Sequence, residues 1–556
     1  MHRRGDHAGS SPFNPAGRFG AFVLAVSALS ISSGSAGCTG LIGEGSDPSS
    51  SDEPAVDVLG SPDFRRLSSI EVEQTLDDIL LELGIAAAAD DLLLAPPDVR
   101  YSFSNTADSG NFTTSQIQSI MTWAESVSAL FVQDAPAVLG CTPSPAWDEC
   151  VSGFASRLGR LTFRRPLAPE ELATFKAVYE RAMEQPEQPT DGVRALVELA
   201  FESPNYWYLS NETRPDSRQL TSYAIAGRLS YFLWGSMPDA ALRDAADRDE
   251  LSTPEQVRAQ AERLLDDPRA EVVITRFHRE WLHVDSATSL SKNAAIYPSF
   301  DPALAADMDR EFDMYVERAV SQGSVQDLLA GRETFVNTRL ETLFGVSASS
   351  SGTDDWVLRP LDDRAGILGR PLFLANTAGQ GESSLVHRGV AVIEKYLCKK
   401  LEAPPDIADE ILPIPPDATS GKMAAVEDRA SKAKCSACHN TIDPIGISFE
   451  VFDAIGAYRG SYPDGVSIDP SGELAAGIVP TAISYTSSAE LLTALASQPQ
   501  AQACYASRWV EWSTGHRPTG DAMHEVERVA EQGPVSIRAL LLEIATSPLL
   551  THREDF

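Results

Sequence analysis

The stretch Cys435-Ser436-Ala437-Cys438-His439 decides how the rest of this 556-residue chain is read. Its C-x-x-C-H spacing is that of covalent haem attachment. On a helical turn the thiols lie three residues apart and the imidazole four from the first, so all three side chains leave one face. Two thiols can add to the haem vinyl groups while His439 binds the iron. With 7 cysteines and 9 histidines in the chain, a random match is expected about once in seven hundred such chains. Two chemical alternatives remain. A zinc site needs two further ligands at short spacing, and no second C-x-x-C or H-x(3–5)-H pair follows. A redox dithiol is the other, although the flank holding Pro404, Pro405, Pro413, Pro415 and Pro416 does not read as a βαβ unit.

Covalent haem attachment requires export, and the N-terminus supplies a matching signal. Arg3, Arg4 and Arg18 precede an apolar run over 19–31 that is too short to span a bilayer. Residues 1–37 therefore read as a signal peptide. Ser35-Ala36-Gly37-Cys38 resembles a lipoprotein processing site, with Cys38 as the lipid anchor; Ser35 departs from the usual Leu, and ordinary cleavage near Ala36 is the alternative. Residues 38–60, rich in Ser, Gly, Asp and Pro, read as a tether. The protein is thus expected on the periplasmic side of a bacterial membrane, held there by its lipid. Setting aside Cys38, Cys435 and Cys438 leaves an even set in an oxidising space: Cys141, Cys150, Cys398 and Cys504. Cys141 with Cys150 closes a short loop, which leaves Cys398 with Cys504; buried thiols are the alternative for the second pair.

Composition sets the partners. A formal net charge of -34, with 43% hydrophobic residues, describes a folded acidic protein. Nucleic acid is excluded, because phosphate binding needs a basic patch. Acidity either serves solubility or favours basic and neutral soluble partners, and membrane attachment falls to the acyl chain.

Periodicity predicts a mainly α fold. Ser68-Ser69-Ile70-Glu71 reads as a capping box ahead of the stripe Val72, Leu76, Ile79, Leu80 and Leu83. Ile117, Ile120, Met121, Ala124, Val127 and Phe131 form a second stripe. Further helices are expected over 151–160, 169–184, 191–202, 254–265, 270–283 and 302–321, with another begun by Thr221 through Ile225, Leu229, Phe232 and Leu233. Tyr206, Trp207 and Tyr208 read as packing residues, and His278 and His283 as structural ones. The loop at 376–381 could close over a ligand. Several small helical domains in series are expected: an N-terminal domain at 61–135, a second at 136–210, a third at 219–345, a cytochrome-c-like haem domain at 360–460, and a C-terminal domain at 461–556.

The segment after the motif, Ile442-Asp443-Pro444-Ile445-Gly446-Ile447-Ser448-Phe449-Glu450-Val451-Phe452-Asp453-Ala454-Ile455-Gly456-Ala457-Tyr458-Arg459, carries a resemblance. So do Phe64-Arg65-Arg66-Leu67, Arg164-Arg165-Pro166-Leu167, Ser203-Pro204, Leu229-Ser230-Tyr231-Phe232-Leu233-Trp234, Arg364-Ala365-Gly366-Ile367-Leu368, His387-Arg388-Gly389 and Ser536-Ile537-Arg538-Ala539-Leu540-Leu541. Together they resemble a family of large exported proteins of planctomycetes and myxobacteria. That family is assembled from a fixed succession of domains of unknown function ending in a cytochrome-c-like region. The resemblance implies location, domain order and one covalent haem c, but no reaction.

The sixth iron ligand would set the chemistry. His387 is favoured, and His516, His524, Met423 and Met523 are the other candidates. Two functions stay open: single-electron transfer with an unidentified redox partner protein, or a sensor, binding or scaffold protein in which the haem is regulatory or structural. No H-E-x-x-H, G-x-S-x-G, P-loop or dinucleotide fingerprint occurs upstream.

Overall fold

The computed structural model describes residues 65–86, 103–106, 112–133, 135–142, 145–347, 351–401, 421–463, 465–530 and 536–553. The signal peptide, tether and Cys38 expected from sequence lie outside these residues, as does the Pro-rich stretch 402–420. The described residues belong to one compact unit. Among the described residues helix accounts for 60% and strand for 7%, so the fold is mainly α. The described residues contain no helix long and apolar enough to cross a membrane.

Local chemistry starts these helices where the sequence places it. Ser68 caps helix Ser69–Glu82 and Glu71 returns the bond to the Ser68 backbone, completing the capping box. Thr221 caps Ser222–Leu233. Pro254, Pro268 and Pro302 open Pro254–Leu265, Pro268–Leu282 and Pro302–Gln322, where a missing N–H costs no helical bond. One stripe differs from expectation. In helix Thr114–Gln133, Ile120, Trp123, Ala124, Val127 and Phe131 are buried, whereas Ile117 and Met121 are exposed. Trp123 recentres the buried face and turns those two to its rim.

Two hydrophobic cores lie under these helices. The first joins Leu67, Val72 and Phe131 with Phe154, Leu196 and Phe201, so the segments 61–135 and 136–210 pack together. Tyr206 and Trp207 are buried in it against Trp123, as packing residues. The second runs from Leu220 through Phe452 to Leu550. Its centre is helix Pro499–Thr514, whose Trp509 stacks on Phe277. His278 is buried there, with Nε2 2.9 Å from the Tyr505 hydroxyl and Nδ1 2.7 Å from the Ile274 carbonyl. Burial pushes its pKa down to about 4. His283 ends the same helix in the left-handed region at φ 53°. Periodicity did not announce the two short antiparallel ribbons, Glu333–Val336 with Val357–Pro360 and Gly472–Leu474 with Ile483–Tyr485.

Candidate functional site

Helix Ala433–Ser448 carries the C-x-x-C-H residues. It runs through Pro444, which has no N–H for the Asn440 carbonyl, so the helix lacks one backbone bond there. Cys435 and Cys438 are both free thiols, each partly exposed. Cys438 packs on the rim of the second core. His439 Nδ1 lies 2.9 Å from Asp443 Oδ1, one turn along the same helix. Asp443 is buried, and its other oxygen accepts from Arg429 Nε at 3.0 Å. Arg429 comes from the preceding helix, Gly421–Ser431. With Nδ1–H donating to the carboxylate, the ring is held in one orientation and the Nε2 lone pair is directed away from Asp443. Among the described residues no His, Cys, Asp and Glu side chains gather in groups of three or more that could hold a metal ion. A tetrahedral zinc set therefore lacks ligands in the described part of the site.

A close helix crossing fixes the motif helix. Helix Leu385–Ala391 runs antiparallel to it: Gly446 lies against Leu385, Gly389 against Ile442, and Ser383 beside Glu450. A Cβ on Gly446 would sit 2.0 Å from the Leu385 carbonyl oxygen, and one on Gly389 2.3 Å from that of Ile442. Only glycine permits backbones this near. Beside them Arg388, fully buried, donates to the carbonyls of Phe449 at 2.8 Å, Phe452 at 2.6 Å, Leu374 at 3.0 Å and Asp453 at 2.8 Å. Burial lowers its pKa to about 10. Lys422 and Arg459 both reach the buried carboxylate of Glu450, at 3.1 and 2.9 Å. The Arg-Gly of the quoted His387-Arg388-Gly389 is thus a clamp on the strand of chain that follows the motif helix.

His387 precedes that clamp on the exposed side of its helix. The antiparallel register sets it beside the second half of the motif helix, beyond His439, and no hydrogen bond joins its ring to the motif among the described residues. Of the other candidate ligands, His524 is exposed near Asp521, Met423 is exposed, His516 is partly buried and Met523 packs on the second core.

The remaining cysteines pair as expected in reach: Cys141 and Cys150 have Cα atoms 6.5 Å apart, and Cys398 and Cys504 5.4 Å. Both pairs are disulfide-capable. The second ties the π-helical turn Val392–Tyr396, which extends the crossing helix, to helix Pro499–Thr514. The loop at 376–381 is anchored: Lys292 Nζ donates to the carbonyls of Ala375 at 2.8 Å and Gly379 at 3.0 Å, and the Asn293 amide donates to that of Gln380 at 2.9 Å. Burial lowers Lys292 to about 8. A separate groove of about 560 Å³, lined by Phe103, Arg276, Arg279, Glu280 and His283, opens along helix Pro268–Leu282 and includes no residue of the motif helix.

Sequence reasoning passed over Asp443 and Arg429. The i,i+4 spacing of His439 and Asp443 was a usable signal; Arg429 reaches the pair only through tertiary packing.

Three family models match the chain, each described as a protein of unknown function: DUF1595 over residues 150–211, DUF1592 over 220–346 and DUF1588 over 364–462. The last range includes Cys435, Cys438 and His439. No curated protein and no solved structure matches. The chain is a multi-domain protein built from domains of unknown function.

Proposed function

We propose that Cys435, Cys438 and His439 attach one haem c, and that the protein is an exported single-electron transfer protein anchored through a lipid on Cys38. The observation carrying this reading is the donor set: two free thiols and one imidazole on a single helix face, the imidazole oriented by a buried carboxylate. These residues fit the group. The thiols would hold it covalently, and His439 would offer Nε2 to the iron while Asp443 fixes the ring. Bound there, haem would supply a one-electron Fe(III)/Fe(II) couple. Arg429 holds Asp443 in place, and the glycine crossing and Arg388 keep the motif helix from shifting against the core.

The cysteine pattern supports export, since disulfide-capable pairs belong to an oxidising compartment. A redox titration of protein made in cells competent for haem attachment tests the proposal. A low-spin spectrum with one reversible one-electron wave is expected. A five-coordinate high-spin spectrum that binds carbon monoxide would instead support the sensor reading, and a protein without haem whose Cys435 and Cys438 cycle between thiol and disulfide would support the redox-dithiol reading.

A further inference from the structure

The centre of the second core holds a pair of polar side chains that packing alone does not require. Tyr505 and His278 are both fully buried, and the phenol oxygen lies 2.9 Å from His278 Nε2. The Ile274 carbonyl, 2.7 Å from Nδ1, can only accept, so Nδ1 carries the ring proton and Nε2 presents its lone pair. Tyr505 therefore donates to His278. Burial, which pushes the imidazole pKa down to about 4, keeps that ring neutral and able to accept. Exchanging both partners of such a bond for apolar groups of the same shape is close to neutral for stability. What the pair adds to the core is a phenol with a base already in place for its proton.

Oxidisable rings surround the pair. Trp281 lies 5.4 Å and Trp509 6.4 Å from the Tyr505 ring, measured between centroids. Trp509 stacks on Phe277 at 3.5 Å, and Phe277 is 5.8 Å from Trp512. Trp512 meets Phe103 at 5.4 Å, and Phe103 lines the groove along helix Pro268–Leu282. An unbroken series of aromatic contacts thus runs from Tyr505 to the wall of that groove. Loss of an electron turns a phenol into a strong acid, and a core without a base would have to hold the resulting charge unpaired. At Tyr505 the base is within hydrogen-bond reach. The step balances: Tyr505 gives one electron to an oxidant and its hydroxyl proton to His278 Nε2, leaving a neutral phenoxyl radical beside an imidazolium. Phe277 and Trp509, with ring centroids 5.1 and 5.9 Å from the imidazole, are within the range of cation–π attraction to that charge.

We propose that Tyr505 is a redox-active site that holds an oxidising equivalent as a neutral radical, with His278 as its proton acceptor and Trp509 and Trp512 passing the electron outward. The oxidant is a soluble, high-potential one-electron acceptor that meets the protein at the groove. The site is independent of the haem reading, since neither Tyr505 nor His278 belongs to the motif helix.

Photo-oxidation of the full chain, made in cells that do not attach haem, tests the proposal. A ruthenium(II) polypyridyl complex, excited by light and quenched by a cobalt(III) ammine, supplies the oxidant; transient absorption follows the rate, and electron paramagnetic resonance of frozen samples identifies the radical. The unaltered protein should give a neutral tyrosyl radical that Tyr505→Phe loses and Tyr223→Phe keeps. Tyr223 is the control because its hydroxyl also donates to a base, Asp247 Oδ1, at 2.8 Å. In His278→Gln the amide oxygen can still accept the hydrogen bond but takes up no proton, so Tyr505 should be oxidised about a hundredfold more slowly, the usual worth of a positioned base. Isotope-labelled histidine in the unaltered protein gives a reading that no variant's folding can disturb: the radical should couple to one histidine nitrogen. A signal unchanged in Tyr505→Phe, an equal rate in His278→Gln, a radical without histidine coupling, or no tyrosyl radical would each overturn the proposal. None of these outcomes bears on the haem, whose own test is the redox titration.

Discussion

Replacing Gly446 by alanine probes the helix crossing that positions the motif. The added Cβ would lie 2.0 Å from the Leu385 carbonyl oxygen and 2.6 Å from its carbon, where ordinary contact begins at 3.4 Å. The obstructing atoms are backbone, so no side chain can rotate away, and the helices must part by about 1.4 Å. A radial gap of 0.5–1 Å already forfeits a quarter to a half of each dispersion contact along a seam. Overpacking of this kind costs about 3 kcal/mol at the upper end of its usual range. Alanine returns about 1 kcal/mol through its better helix propensity, leaving a net loss of about 2 kcal/mol. Gly153 in helix Glu149–Thr162 is the matched control, because nothing lies within 4 Å of its added Cβ; Gly153→Ala should gain up to about 1 kcal/mol. Urea unfolding followed by circular dichroism measures both. If Gly446→Ala unfolds at the same urea concentration as the unaltered protein, the backbone contact described here is wrong.

Three further outcomes follow from single contacts. His278 is neutral when buried, with a pKa of about 4 against about 6.5 in the unfolded chain. Between those values only the unfolded chain takes up the proton, so stability should be level above pH 6.5 and fall by about 3 kcal/mol as pH drops toward 4; urea midpoints across that range measure it, and a flat profile counts against the buried neutral imidazole. Removing the Cys398–Cys504 link by a double Ser substitution opens a loop with a separation of 106 residues, and should lower stability by about 3–5 kcal/mol; equal thermal midpoints with and without reductant would argue against the bond. Asp443→Asn should retain covalent haem while raising the potential by about 59 mV, corresponding to a tenfold loss of Fe(III) stabilisation as the imidazole becomes a weaker donor; an unchanged potential would show that Asp443 does not tune His439.

What sequence disclosed was mostly local. The capping box at Ser68 and Glu71, the prolines that open helices and the apolar stripes depend on residues within a turn or two of one another, and these were legible. The ribbons at 333–336 and 357–360 were not, because four residues are too few to show a period. Nor could a stripe reveal that Trp123, rather than Ile117 and Met121, centres the buried face. At the site, the thiols and imidazole were readable from spacing alone. The roles of Gly389, Gly446 and Arg388 were not: their partners are backbone atoms of segments that only the fold brings near.

The most direct test is whether haem stays on the denatured chain. Protein produced in cells competent for haem attachment should keep one haem after unfolding and extraction, seen by absorption and intact mass, and the Cys435→Ser/Cys438→Ser variant should lose it. A denatured chain without haem, or haem retained equally by the variant, contradicts the account.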